Sequence, residues 1–193
     1  MSAATRTEVR QDLLARILVP YKEHCRYLQR AWCEQPEDGA DHLVRLVGEL
    51  AIPESCYIDD TGHFNAVEFN ISYNQLIYTL LGHCVERGLL ADLAGMGLEE
   101  YLVRQLPDVL IHRFESRFRR PMQARAFRGQ VDITETSQRR RFVLVKTTCA
   151  FEDDAGGNSL GEVSLAILQR PLSDEESARV AEATRARRSE GGA

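Results

Sequence analysis

Apolar residues spaced at the period of a helix predict two substantial helices. In TEVRQDLLARILVPYKEHC (7–25), Pro20 is expected to end the first one, because proline lacks an amide donor. ISYNQLIYTLLGHCVERG (71–88) is the strongest helix predicted, with Gly88 at its end. The candidates for its N-terminal cap are Asn70 and Ser72. A further short helix is predicted at 97–106, stopped by Pro107.

Period-two alternation predicts about six strands. Two of them, 27–32 and 42–52, flank the segment EQPEDGAD, whose turn-forming residues are Pro36, Asp38, Gly39 and Asp41. Four more alternating stretches follow the short helix and predict an antiparallel meander; they span 108–119, 125–137, 139–152 and 159–170.

One long apolar helix early in a chain of strands indicates the α+β class. A helix this apolar must be covered, and a twisted antiparallel sheet wrapped around one central helix would bury both apolar surfaces. That arrangement is the hot-dog fold, although periodicity alone leaves other α+β folds open. The expected organisation is a single hot-dog domain over 1–170 and a charged C-terminal tail over 171–193.

Composition removes several classes of function. The 193 residues include 24 Lys and Arg against 29 Asp and Glu, and this acidic balance argues against nucleic acid as a partner. No stretch is apolar over the roughly 18 residues of a membrane span, and the N-terminus lacks a secretory pattern, so a cytoplasmic protein is expected. The five cysteines show no CxxC pair and are expected to be buried thiols. No motif for a metal or a nucleotide cofactor is found, so we expect no cofactor.

The chemically unusual segment is 57–74. His63 is the leading candidate for acid or base work, because imidazole titrates near neutral pH, although a hydrogen-bonded loop histidine is the simpler interpretation. Glu68 could orient it or be a surface charge. Asn74 could hydrogen-bond a carbonyl or face solvent. Asn65, beside His63, is counted among the substrate-binding candidates.

Arginines are concentrated in one part of this acidic chain: Arg113, Arg117, Arg119, Arg120, Arg125 and Arg128. Such a run is often a solvated strand face. Because arginine binds phosphate through two parallel hydrogen bonds, it could instead hold the phosphate of a carrier arm or the acidic surface of a carrier protein.

Several segments together resemble the FcoT-type thioesterase family: LLARILVPY, CRYL, ESCYIDDTGHFNAVEFNISYNQL, SRFRRP and GEVSLA. The similarity covers roughly 10–170 and is most specific in TGHFNAVE. It implies the hot-dog fold and an enzyme acting on acyl thioesters, described for the family as a long-chain acyl-CoA thioesterase. The family's catalytic tyrosine and asparagine positions correspond to Tyr21, Tyr57 and Asn74.

The same family includes enzymes of isonitrile lipopeptide pathways that add glycine to a (2E)-enoyl acyl-carrier-protein thioester. These enzymes then hydrolyse the thioester to release a 3-(carboxymethylamino) fatty acid. By this resemblance, His63 would be the base, supported by Glu68. Tyr57 and Asn74 would donate to the thioester carbonyl, and Tyr21 would position glycine or supply a proton. The glycine carboxylate needs a cation, for which Lys22 and Arg117 are the candidates.

Three hypotheses follow from the resemblance. The first is the glycine-adding enzyme, the second a plain long-chain fatty acyl-CoA thioesterase, and the third a noncatalytic thioester-binding subunit. The partners expected are an acyl carrier protein or CoA thioester, glycine and at least one further copy of the chain, since hot-dog subunits pair through their sheets. Neither nucleic acid nor a membrane is expected as a partner.

Overall fold

The computed structural model describes residues 6–37, 39–59 and 62–190. Asp38 of the predicted turn, Thr61 of the TGHFN motif and the last three residues of the predicted tail lie outside the described residues. The elements in chain order are β1 (Arg6–Glu8), α1 (Gln11–Leu18), β2 (Leu28–Glu34), β3 (Val44–Leu50), α2 (Ala66–Arg87), α3 (Leu98–Arg104), β4 (Val109–Arg120), β5 (Phe127–Gln138), β6 (Phe142–Glu152), β7 (Asn158–Leu168) and α4 (Asp174–Glu190).

These elements form the hot-dog fold that the sequence predicts. The seven strands make one sheet in the order β1-β2-β3-β5-β6-β7-β4, and every neighbouring pair is antiparallel. Alternate residues of β5, β6 and β7 point inwards onto α2, so the sheet wraps the helix. The three-residue strand β1 was not predicted, because the sequence pattern merged it with α1.

The prediction of a four-strand meander is wrong for β4. Strands β5, β6 and β7 are consecutive neighbours, but β4 crosses the sheet and pairs with β7, while β5 pairs with β3. Alternation reveals which face of a strand is buried, but it carries no information on which strand lies beside it. The crossover places β4 at one end of the sheet, with one edge unpaired among the described residues.

The central helix begins earlier than predicted. The sequence suggested Asn70 or Ser72 as its cap, whereas α2 starts at Ala66 and is capped by Asn65. The end at Gly88 is confirmed: this residue has a φ of 65°, in the left-handed region that glycine adopts without a steric penalty. The extra turn and a half brings the helix start to the segment that carries His63.

A pair of glycines allows α2 to approach the sheet closely. Gly48 of β3 and Gly129 of β5 lie directly opposite each other across the two strands. A Cβ at Gly48 would lie 2.7 Å from Leu76 Cδ2, and one at Gly129 would lie 2.7 Å from Leu76 Cδ1. The two missing side chains therefore form the recess that holds Leu76, a fully buried residue of α2.

One buried side chain ties α2 to the start of β2. The Gln75 Oε1 atom accepts hydrogen bonds from the amides of Tyr27 and Leu28, each at 2.9 Å, and its Nε2 atom donates to the carbonyl of Cys25 at 2.6 Å. A single glutamine thus satisfies three backbone groups in the interior. It also fixes Tyr27 beside the helix.

The predicted C-terminal tail contains helix α4, which is anchored to the domain by ion pairs. Arg170 pairs with Asp108 at 2.7 Å and with Glu176 at 2.6 Å, and Arg187 pairs with Glu86 at 3.2 Å. Within the described residues, no helix has both the length and the apolar character needed to cross a membrane.

Replacing Gly129 with alanine tests the close approach of helix and sheet. The new methyl group would also lie 2.7 Å from Phe151 Cε1, so two buried side chains would have to move. We expect the free energy of unfolding to fall by about 1–3 kcal/mol, as for other overpacked cores, measured by urea denaturation. Gly97→Ala is the control, because a Cβ there meets nothing within 4 Å. Equal stability of the two variants would contradict this account.

Candidate functional site

The candidate site lies where residues 62–65 lead into the N-terminus of α2. Phe64 holds this segment in place, since it is only 2% exposed and its amide donates to the carbonyl of Met122 at 2.9 Å. Its ring packs against Phe127 and Phe151, with centroids 4.9 Å and 5.3 Å away. Because Phe64 is buried, the preceding His63 is left exposed at the surface of the site.

Asn65 and Glu68 start the helix by capping each other. The Asn65 Oδ1 atom accepts from the amides of Val67 at 2.9 Å and Glu68 at 3.3 Å, while the Asn65 amide donates to Glu68 Oε2 at 3.2 Å. This is a capping box. The carboxylate of Glu68 is therefore held at the positive end of the helix although the residue is only 2% exposed.

His63 lies between two cavities. The first, of about 330 Å³, is polar and contains the side chains of Glu54, Asp59, Glu68 and Arg125. The second, of about 480 Å³, is walled by apolar residues such as Phe64 and Phe118 and edged by arginines 119 and 120. Among the lining residues of the two cavities, His63 alone belongs to both. An imidazole in this position can exchange a proton with a molecule in either cavity.

A second polar group lies behind the site, under the start of α2. The Tyr27 side chain is fully buried, and its hydroxyl has no well-formed hydrogen bond among the described residues. Burial raises its pKa, and the neighbouring Cys56, Cys25 and Glu68 add to the shift. The pKa of Cys25 is also raised, by burial and by Cys56. Tyr27 thus stays protonated at any ordinary pH and can only act as a neutral hydroxyl.

The other predicted site residues are spread around α2. Asn74 lies nine residues after Asn65, about 14 Å further along the helix axis, and its Nδ2 atom donates to Asn70 Oδ1 at 2.8 Å. Tyr21 is half-buried, and burial together with the nearby Tyr78 raises its pKa. Tyr57 is 48% exposed. None of these three residues lines either of the cavities that His63 shares, so their roles remain predictions.

The two cations predicted to bind glycine lie elsewhere. Arg117 is on β4, where Glu115 binds it at 2.7 Å, and it lines a separate cavity on the outer face of the sheet. Lys22 is exposed, immediately before the short 3₁₀ turn Glu23–Cys25. Neither residue lines a cavity that contains His63.

Two residues of the site were missed as candidates. Tyr27 is part of CRYL, one of the segments that carry the family resemblance, so its position in the sequence was a usable signal. Arg125 was noticed only as one arginine among six, and nothing in its local sequence separates it from the others. Sequence reasoning also expected all five cysteines to be buried, whereas Cys25 and Cys56, near Tyr27, are half-buried.

The model of the FcoT-like thioesterase domain matches residues 16–167. The chain belongs to this family. Within the described residues there is no group of three or more His, Cys, Asp or Glu side chains placed to hold a metal ion.

Curated relatives match this chain over most of both lengths. The (2E)-enoyl-[ACP] glycyltransferase of Streptomyces coeruleorubidus is 41% identical over 166 residues, which is 83% of this chain and 98% of that protein. The protein of the same name from Mycobacterium marinum is 37% identical over 175 residues, covering 89% and 93%. Among solved structures, Staphylococcus aureus SAV2348 in complex with CoA is 12% identical, with a TM-score of 0.43 over 70% of this chain and 81% of that one.

Replacing Asn65 with alanine tests the cap that positions the site. Two amides of the first turn would lose their acceptor, so we expect the free energy of unfolding to fall by about 1 kcal/mol, measured by chemical denaturation. Asn65→Asp is the matched control, because a carboxylate caps equally well. Full stability of the alanine variant would show that the side chain does not hold the helix start.

Proposed function

We propose that the protein adds glycine to the β carbon of a (2E)-enoyl thioester carried by an acyl carrier protein, and then hydrolyses the thioester. The product is a 3-(carboxymethylamino) fatty acid. The names of the relatives support this reaction, because they match this chain over most of both lengths at 36–41% identity. Membership of a thioesterase-like family supports the hydrolytic half.

The observation that carries the proposal is the position of His63 between a polar and an apolar cavity. Conjugate addition brings together a small charged amine and an acyl thioester. The amine requires a polar site, and the acyl chain requires an apolar one. The base must contact the amine in the polar cavity, and the β carbon of the thioester must lie within reach in the apolar one. His63 is the residue through which the two cavities meet.

The steps balance as follows. His63 takes a proton from the glycine ammonium, and the freed lone pair forms the bond to the β carbon. The electrons of the carbon–carbon double bond move onto the thioester oxygen as an enolate. The α carbon is then protonated, for which the imidazolium of His63 can return the proton it removed. A water molecule finally attacks the carbonyl, and the carrier thiol leaves.

The enolate oxygen carries negative charge, so it needs a positive charge or hydrogen-bond donors close by. The N-terminus of α2 provides the positive end of a 22-residue helix, and its first residue, Ala66, lines the apolar cavity beside His63. Tyr57 and Asn74 remain our candidates as further donors to the carbonyl, and Tyr21 as a residue that positions glycine or supplies a proton. Their variants Tyr57→Phe, Asn74→Ala and Tyr21→Phe belong in the same assay.

An acyl carrier protein is the proposed carrier. Arg119 and Arg120 line the apolar cavity and make no ion pair among the described residues. Unpaired guanidinium groups at the entrance to an acyl site suit the phosphate of a phosphopantetheine arm. A CoA thioester offers phosphates of the same kind, so turnover of the two carriers has to be compared directly.

The family match also favours a second function, a plain acyl-CoA thioesterase. Mass spectrometry of the enzyme incubated with but-2-enoyl carrier protein, with and without glycine, separates the two. A glycine-dependent adduct acid is expected under our proposal. Free enoic acid formed equally in both incubations would establish the thioesterase instead, and no turnover at all would leave a binding subunit.

His63→Ala tests the base in the same assay. Loss of a general base costs typically 10²- to 10⁴-fold, and we expect the rate of adduct formation to fall by about that factor. His24→Ala is the control, because His24 is exposed on the 3₁₀ turn and lines neither cavity. An unchanged rate of adduct formation in His63→Ala would remove the histidine from the mechanism.

We further propose that the chain forms at least a homodimer through the free edge of β4. This strand is 12 residues long, pairs only with β7 among the described residues and exposes Leu110, Ile111 and Phe118 by 40–45%. Three exposed apolar side chains beside an unpaired backbone edge favour association, so a partner strand is expected to cover this edge.

Light scattering checks the assembly. The expected mass is at least twice the 21.8 kDa of one chain. Ile111→Lys would place a charge on the edge strand and is expected to shift the mass towards that of one chain. Leu106→Lys is the control, because this residue is 52% exposed but precedes the strand. A monomeric wild-type protein at micromolar concentration would refute the proposal.

A further inference from the structure

The polar cavity beside His63 contains charges of both signs in an arrangement that suits a zwitterion. Glu54, Asp59 and Glu68 contribute carboxylates, and Arg125 is the single lysine or arginine among its lining residues. An inorganic anion would meet an excess of negative charge here, and a simple amine would leave the arginine unused. An α-amino acid, with one ammonium and one carboxylate, matches both.

Arg125 is available to bind a ligand. Some arginines are held by carboxylates, as Arg117 is by Glu115 and Arg45 by Asp132, whereas Arg125 makes no ion pair or hydrogen bond among the described residues. The backbone that carries it is nevertheless fixed. The carbonyl of Ala124 accepts from the amide of Ile52 at 2.9 Å, and the amide of Gln123 donates to Asp153 at 2.7 Å.

Glu68 can accept an ammonium group in the same cavity. It is 2% exposed and is held by the capping box, so its carboxylate has a fixed position. His63 lines this cavity and also the second one. An ammonium group bound in this cavity would therefore share it with the base that must deprotonate it.

We propose that this cavity is the amino acid subsite, in which Arg125 binds the carboxylate of glycine while Glu68 and His63 receive its ammonium group. The inference rests on the proposed function and deepens it, because it gives the nucleophile a defined place and orientation. It also replaces Lys22 and Arg117, which line neither cavity of His63, as the cation for the glycine carboxylate.

Arg125→Gln tests the subsite in steady-state assays of the full-length protein with but-2-enoyl carrier protein. A charge-assisted hydrogen bond contributes about a factor of ten to one hundred, so we expect the KM for glycine to rise by that factor while the KM for the thioester stays unchanged. Arg125→Lys should recover part of the loss. Arg128→Gln is the control, since Arg128 lies opposite Glu49 and Glu152 on the neighbouring strands and lines neither cavity.

Glycinamide provides a readout that a merely structural role would not change. It keeps the amine but lacks the carboxylate, so the wild-type protein should prefer glycine over it by the same factor. Arg125→Gln should lose this preference and use the two amines about equally. An Arg125→Gln variant that keeps both the KM for glycine and the preference would overturn the subsite.

Failure of the subsite can be told apart from failure of the proposed reaction. If the wild-type protein forms an adduct with neither amine, the reaction itself is wrong. Saturation-transfer NMR with glycine and the protein alone then decides the subsite independently of turnover. A wild-type signal that disappears in Arg125→Gln supports it, and the absence of any wild-type signal overturns it.

Discussion

The structure depends on how closely α2 can approach the sheet. A helix that buries residues on most of its circumference needs a sheet that curves around it, and the curve leaves little room where β3 and β5 pass nearest. Gly48 and Gly129, paired across those strands, provide that room for Leu76. With the helix seated there, Gln75, its neighbour in the chain, can reach the backbone of Tyr27 and Leu28. The positions of α2 and of the start of β2 are therefore determined together.

The site is assembled by three consecutive residues with different tasks. The ring of Phe64 packs into the aromatic cluster on the inner face of the sheet, which fixes how far residues 62–65 lie from the sheet. Asn65 begins the helix, which fixes its direction. His63 precedes both and is left at the surface, between the cavities. The packing of Phe64 against Phe127 and Phe151 and the cap at Asn65 together define this placement.

The sequence was informative where burial repeats along an element. Strands β5 to β7 and helices α1 and α3 follow from the period of their apolar residues, since one face of each is buried. The start of α2 did not follow, because Glu68 and Asn70 continue the polar character of the segment before the helix. Asn65, Asn70 and Ser72 could each have served as its cap. The place of β4 depended on a crossover that no local pattern records.

The candidate site was predicted in part, for a similar reason. His63, Asn65 and Glu68 are close in the chain, and the structure brings them together at one helix end. Arg125 comes from a segment some 60 residues away, which is held beside the same cavity by hydrogen bonds of Ala124 with Ile52 and of Gln123 with Asp153. Contacts of this kind arise from the folded backbone, so a single sequence does not single out the arginine that makes them.

The double role of Glu68 affects how related proteins are to be compared. The same carboxylate completes the cap of the central helix and lines the polar cavity, so replacing it would damage folding before any effect on chemistry could be observed. Selection for a stable helix alone would therefore keep a glutamate here. A relative that retains this residue need not share the reaction. The side chain of Arg125 makes no ion pair or hydrogen bond within the described part of the chain, so it would be free to change as soon as its ligand changed.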